Sequence, residues 1–173
     1  MKKILLLFSA VGLLSLSSCN NDDNFDQDTI AEVFQTRRLN FTASGEFKNV
    51  VEFGTTIPDG DMILVYRLTD DPDTDLDVWQ LIPRTLYFGE EEVDYDYNFT
   101  QNDVLLYMEA NTDLSDPSFD PYTRNQIFRI VIIPGFLSSS RTSANAMEEF
   151  KDYNATMKKY GIKESDVKQI STK

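Results

Sequence analysis

The chain has 173 residues, with 29 acids against 16 bases and a net charge of -13. That length fits one domain plus a leader, and so acidic a body argues against binding nucleic acid or lying flat on an anionic membrane. There is no histidine and one cysteine, which excludes Ser–His and Cys–His catalysis, histidine-ligated metals and an internal disulfide.

Residues 1–18 read as a cleaved signal: Lys2-Lys3, an apolar run from Ile4 to Leu14, then Leu16-Ser17-Ser18 ahead of Cys19. The run is shorter than the ~20 residues a spanning helix needs. Leu16-Ser17-Ser18-Cys19 resembles the bacterial lipobox, in which the thiol is alkylated with diacylglycerol and the leader is cut before the cysteine. The resemblance implies lipidation at Cys19 and attachment to a membrane through more than one acyl chain, each buried methylene contributing ~0.8 kcal/mol. By the same resemblance, Asn20 implies sorting to the outer membrane, and Asp22-Asp23 is similar to the acidic surface-export signal of Bacteroidota lipoproteins. Residues 19–30 read as an acidic tether, within which Asp28-Thr29-Ile30 resembles that group's short O-glycosylation motif.

Loss of the leader removes Lys2 and Lys3 and no acid, leaving 14 bases against 29 acids. The excess sits in residues 20–144, whereas residues 145–173 hold six lysines and five acids. We read the charge as solubility and self-repulsion rather than as the mark of a cationic partner.

From residue 31 to 137 short β-prone runs alternate with turn chemistry, and no helical stripe interrupts them. The pattern predicts strands over 33–43, 47–53, 62–68, 78–82, 93–99, 104–109 and 126–133. Ser44-Gly45, Pro58-Asp59-Gly60-Asp61 and Gln101-Asn102-Asp103 mark breaks between them. Seven short strands so spaced predict an antiparallel, immunoglobulin-like β-sandwich. In Val93-Asp94-Tyr95-Asp96-Tyr97-Asn98-Phe99 apolar and polar residues alternate, as on a strand with one wet face. Ile127 to Ile133 and Met62 to Tyr66 are apolar on both faces and belong mid-core. Trp79 lies mid-strand and reads as core.

After a Ser-rich linker the chain turns helical, and residues 138–173 form the last unit. Asn145-Ala146-Met147-Glu148 has the form of a capping box, and Met147, Phe150, Tyr153 or Asn154, Met157 and Tyr160 follow at helical spacing. Lys158-Lys159 and Gly161 mark the stop, which predicts one helix of about four turns docked on the sandwich. Residues 165–170 predict a further helical turn with Val167 and Ile170 inward.

Segments 62–68, 78–83, 95–104, 125–135 and 153–167 together resemble a family of small Bacteroidota lipoproteins of unassigned function. Some members carry names implying an enzyme, such as dihydrolipoamide dehydrogenase. That activity does not transfer to this chain: it has no Gly-x-Gly-x-x-Gly after a strand, no cysteine pair and no alternating βα pattern. The resemblance brings no functional residues with it.

Three patterns could carry a ligand. Asp71, Asp73, Asp75 and Asp77 alternate and could turn hard oxygens towards a Ca²⁺ ion, although Leu76 and Ile82 stand where an EF-hand needs Gly and Glu. The competing reading is an acidic hairpin loop. Residues 111–123 form a long loop carrying Pro117, Phe119, Pro121 and Tyr122, and such loops often bind. Phe119 and Tyr122 would then stack on a sugar or grip a peptide; otherwise they tuck into the sandwich edge. Paired carboxylates of a hydrolase are a third possibility, without any spacing that marks them. Glu90-Glu91-Glu92 reads as a solvated turn. The expectation is a non-catalytic, lipid-anchored envelope or protein/glycan-binding module, with a Ca²⁺-stabilised domain and a small carboxylate hydrolase as alternatives.

Overall fold

Strand β8 (Phe128–Ile133) is buried along its whole length, and the molecule is built outward from it. The computed structural model describes residues 30–70, 76–135, 137 and 146–172. Strands β1 (Glu32–Thr36) and β3 (Met62–Asp70) flank β8 antiparallel. Outside them lie β4 (Asp77–Ile82), antiparallel to β3, and β9 (Lys168–Ile170), parallel to β1. The first sheet therefore runs β4-β3-β8-β1-β9. The second is antiparallel throughout and runs β2-β7-β6-β5, from β2 (Lys48–Glu52), β5 (Arg84–Phe88), β6 (Glu91–Phe99) and β7 (Asp103–Ala110). The protein is mainly β, two sheets packed as a sandwich with short helices at its C-terminal end.

Side-chain parity explains why β8 and β3 are apolar on both faces. Phe128, Ile130 and Ile132 point into the sandwich against Val93, Tyr95 and Leu106. Val131 and Ile133 point the other way, joining Leu64 and Tyr66 beneath Phe150, Tyr153, Met157 and Ile162. The five-stranded sheet is the middle of three layers, so its central strands lose the polar alternation that β6 keeps.

Two rims close the sandwich. Beyond Ile82 the chain passes through Pro83 by a cis peptide and crosses to the other sheet as β5. At the far side a bridge between Val51 and Thr172 ties β2 to the chain just past β9. Where β8 ends, Gly135 comes so close to the turn before β3 that a Cβ there would stand 2.6 Å from the Gly60 carbonyl oxygen. Asp61, at that turn, accepts a hydrogen bond from Gly135 N at 3.1 Å.

The sequence-based expectations need four corrections. Among the described residues nine strands form where seven were expected, the extra two being β5 and β9. The first strand stops at Thr36, beyond which only Leu39 makes a bridge, to Gln126. The helical turn expected over 165–170 is a 3₁₀ turn at Glu164–Asp166, and the rest of the segment leads into β9. The four-turn helix is two pieces, α2 (Ala146–Glu149) and α3 (Tyr153–Lys159). Asp152 divides them because its extended backbone and its carboxylate, 3.0 Å from Ala155 N, make it an N-cap. Asn145 of the expected capping box lies outside the described residues.

The break frees the Phe150 carbonyl, and Tyr66 fills the gap: its buried hydroxyl donates to Phe150 O at 2.8 Å and lies 3.2 Å from Thr156 Oγ1. Tyr66→Phe is therefore expected to cost about 1–2 kcal/mol with little change of volume. Urea denaturation checks this, the midpoint falling at constant slope.

Candidate functional site

The 111–123 loop is structured and turned inward. Asp116 caps a 3₁₀ turn (Pro117–Phe119) by accepting from Ser118 N at 2.8 Å, and α1 (Asp120–Thr123) follows. Phe119 is only 5% exposed. Its ring meets Phe88 edge-on at 5.8 Å, and Tyr122 meets the same ring at 4.7 Å. The Tyr122 carbonyl also accepts the Tyr95 hydroxyl. Phe119 thus seals the sandwich edge and offers no ligand surface, while Tyr122 is half-buried.

Of the acidic patterns only part is described. Asp77 opens β4 opposite Asp70 at the base of a hairpin, while Asp71, Asp73 and Asp75 lie outside the described residues, as does Cys19. Among the described residues no three acids converge as a metal-ligand set. Asn111 ties down the Glu90–Glu92 turn by accepting from Glu92 N at 2.8 Å and donating to Glu90 O at 3.0 Å.

What the structure does bring together is a corner at the outer edge of β4. A cleft of about 450 Å³ is lined by Asp77, Trp79, Arg129, Lys151, Tyr153 and Glu164. A second hollow, of about 670 Å³, adjoins it and is lined by Trp79, Leu81, Pro83, Arg84, Tyr87 and Met147. Trp79, expected in the core, is half-buried and forms the wall between the two. Tyr87 and Met147 are exposed apolar side chains at the rim.

Arg129 organises the cleft. It sits mid-β8 on the helix side, and its guanidinium lies 4.1 Å from the Trp79 ring centroid and 5.3 Å from that of Tyr153. Nε donates to Gln35 Oε1 at 3.0 Å, Nη1 to the Tyr153 hydroxyl, and both terminal nitrogens to the Glu164 carboxylate. Burial opposes the charge, but the bonds to Glu164 and Tyr153 outweigh it and hold the guanidinium above its ordinary pKa. Burial likewise raises the Tyr153 phenol. Glu164 is spent on Arg129, and Asp152, also on the cleft wall, is spent on its cap. Sequence reasoning missed Arg129, although a lone charge inside an otherwise apolar strand was the available signal.

Among the described residues no helix is long and apolar enough to cross a membrane. No protein-family model matches the chain, and searches of curated proteins and of solved structures return no match.

Proposed function

We propose that the chain is a lipid-anchored, non-catalytic binding module of a bacterial outer membrane, tethered through Cys19. On this reading it holds an extended segment of a protein partner at the β4–β5 corner. The anchor rests on the Leu16-Ser17-Ser18-Cys19 ending and the polar tether behind it. The likeness to small Bacteroidota lipoproteins points the same way.

One observation carries the binding site. Strand β4 pairs with β3 on one side and with no strand on the other among the described residues. Edge strands are commonly guarded by charge or proline, because open N–H and C=O groups recruit other chains. The outer edges of β2 and β9 carry Lys48, Glu52 and Lys168, but Val78 to Ile82 has no charge. A hollow whose walls mix Leu81, Pro83 and Met147 with Gln80, Arg84 and Lys151 runs beside that stretch, a setting in which strand addition supplies backbone bonds and the hollow accepts side chains. Among the described acids of the cleft wall, Glu164 is engaged by Arg129 and Asp152 by its cap.

Photo-crosslinkers placed at Tyr87 and at Met147 on intact cells test the reading, with Lys48 on the opposite edge of the sandwich as control. A discrete protein adduct is expected from the first two positions and not from the third. Equal labelling from all three would overturn it.

A further inference from the structure

Seven large apolar side chains stand exposed among the described residues: Ile30, Val50, Leu76, Tyr87, Phe99, Leu137 and Met147. Four of them gather at or beside one end of the sandwich, the end where the chain enters it. Ile30, 72% exposed, lies two residues ahead of β1, and Leu137 follows the last residue of β8 by four positions. Glu32 pairs with Ile132 and Ile132 with Ile63, which sets the start of β1 beside the end of β8 and the start of β3.

The second sheet reaches the same end. The Tyr97 hydroxyl donates to Ile63 O at 2.9 Å, and just past β6 the Gln101 carbonyl accepts from Ile57 N at 2.8 Å. Phe99, the last residue of β6, is 50% exposed and stacks on Tyr97 with ring centroids 6.4 Å apart. Val50 and Leu105 pair on the outer face of that sheet and, with Phe99, line a hollow of about 280 Å³.

Charge distinguishes the two ends. At the entry end Glu32, Asp59, Asp61 and Asp103 each accept a hydrogen bond from within the fold, from Lys168, Gln101, Gly135 N and Thr100. At the opposite end Asp70 stands across from Asp77, and Glu90-Glu91-Glu92 turns β5 into β6. Leu76 and Tyr87 are exposed there too, but Leu76 adjoins Asp77 and Tyr87 lies opposite Glu92, so an approaching apolar layer would desolvate acids. Exposed apolar groups among acids already bonded suit the interface of a neutral, zwitterionic lipid layer.

The anchor brings such a layer within reach. Residues 19–29 join Cys19 to Ile30, and eleven residues span at most about 40 Å. A contact too weak to hold a free chain is occupied once a link of that length keeps the two surfaces together. We propose that the entry end rests on the lipid surface, with Ile30, Phe99 and Leu137 entering the headgroup layer. The strands then stand up from the membrane, and the β4 edge faces sideways towards a partner. The inference rests on the lipid-anchored reading above and adds to it the face that meets the lipid.

The acylated full chain in phosphatidylcholine vesicles tests it. Cys19 is the only cysteine and acylation blocks it, so Thr55→Cys at the entry end and Glu90→Cys at the far end each give a single site for a fluorophore quenched by spin-labelled lipid. Both are exposed loop positions. Quenching at residue 55 is expected to exceed that at residue 90 by at least about threefold. Adding Phe99→Ala and Leu137→Ala, which remove no buried side chain, is expected to abolish most of that difference while the melting temperature stays within a few degrees. Equal quenching at the two positions, or a difference that survives the double substitution, would overturn the contact. A chain that floats with the vesicles yet quenches alike at both positions loses the contact and keeps the anchor. A chain whose Cys19 thiol is free by mass and that does not float loses the anchor, and the contact falls with it.

Discussion

Deleting residues 146–173 is expected to abolish the cooperative fold rather than trim it. The deletion takes away Phe150, Tyr153, Met157 and Ile162, all less than 10% exposed. At ~1.5–3 kcal/mol for each buried large side chain, these four contribute about 6–12 kcal/mol. A domain's whole net stability is about 5–15 kcal/mol. The loss is compounded on the other side of the interface, where Leu64, Tyr66, Val131 and Ile133 would face water across the middle of a sheet. Arg129 would lose Tyr153 and Glu164 at once and keep only Gln35 and the Trp79 ring. Circular dichroism on heating should show no sharp transition, with strong binding of a hydrophobic dye at room temperature. A cooperative melt within a few degrees of the full chain would mean that the helices decorate the sandwich and do not complete it.

That third layer was half legible in the sequence. The apolar spacing of Phe150, Tyr153 and Met157 identified the buried face correctly, and the double-sided apolar runs in β3 and β8 called for covers on both faces. The division at Asp152 was not legible, because an aspartate at a polar helical position breaks no periodicity until its side chain takes Ala155 N. Met147, first of the stripe, is 47% exposed as a consequence. Strand β5 was hidden by Pro83, which usually ends a strand and here lies at the crossing between two sheets. Strand β9 has only three residues, too few for a period to show.

The site was less legible still. A long loop rich in proline and aromatics has the same composition whether its rings face solvent or core, and only the position of Phe88 decides that Phe119 is inside. Arg129 draws its partners from β1, α3 and the turn before β9, as much as 94 residues away in the chain. Arg67 and Arg84 both neighbour Tyr95, one across the sandwich and one along the sheet. Such convergence depends on register and sheet packing, which local patterns do not encode.

Phe128→Ala is expected to be the most damaging single substitution outside that interface. Phe128 is fully buried at the head of the central strand. Its ring meets Phe41 edge-on at 5.9 Å and Tyr95 at 6.3 Å, and Tyr95 meets Phe41 at 6.3 Å, so three rings from different strands and loops support one another. Truncation leaves a cavity that two backbones already fixed by sheet pairing cannot collapse to fill, and such losses run to about 3–5 kcal/mol. The backbone bond from Phe128 N to Thr36 Oγ1 at 3.0 Å survives the change, so the cost belongs to packing. For a domain of this size a loss of that order lowers the melting temperature by roughly 10 °C. Phe99→Ala supplies the comparison: the same chemistry is removed from a ring 50% exposed on β6, and the change should cost within about 1 kcal/mol. Equal thermal shifts in the two variants would show that the rings around Phe128 repack freely and that the packing argument is wrong.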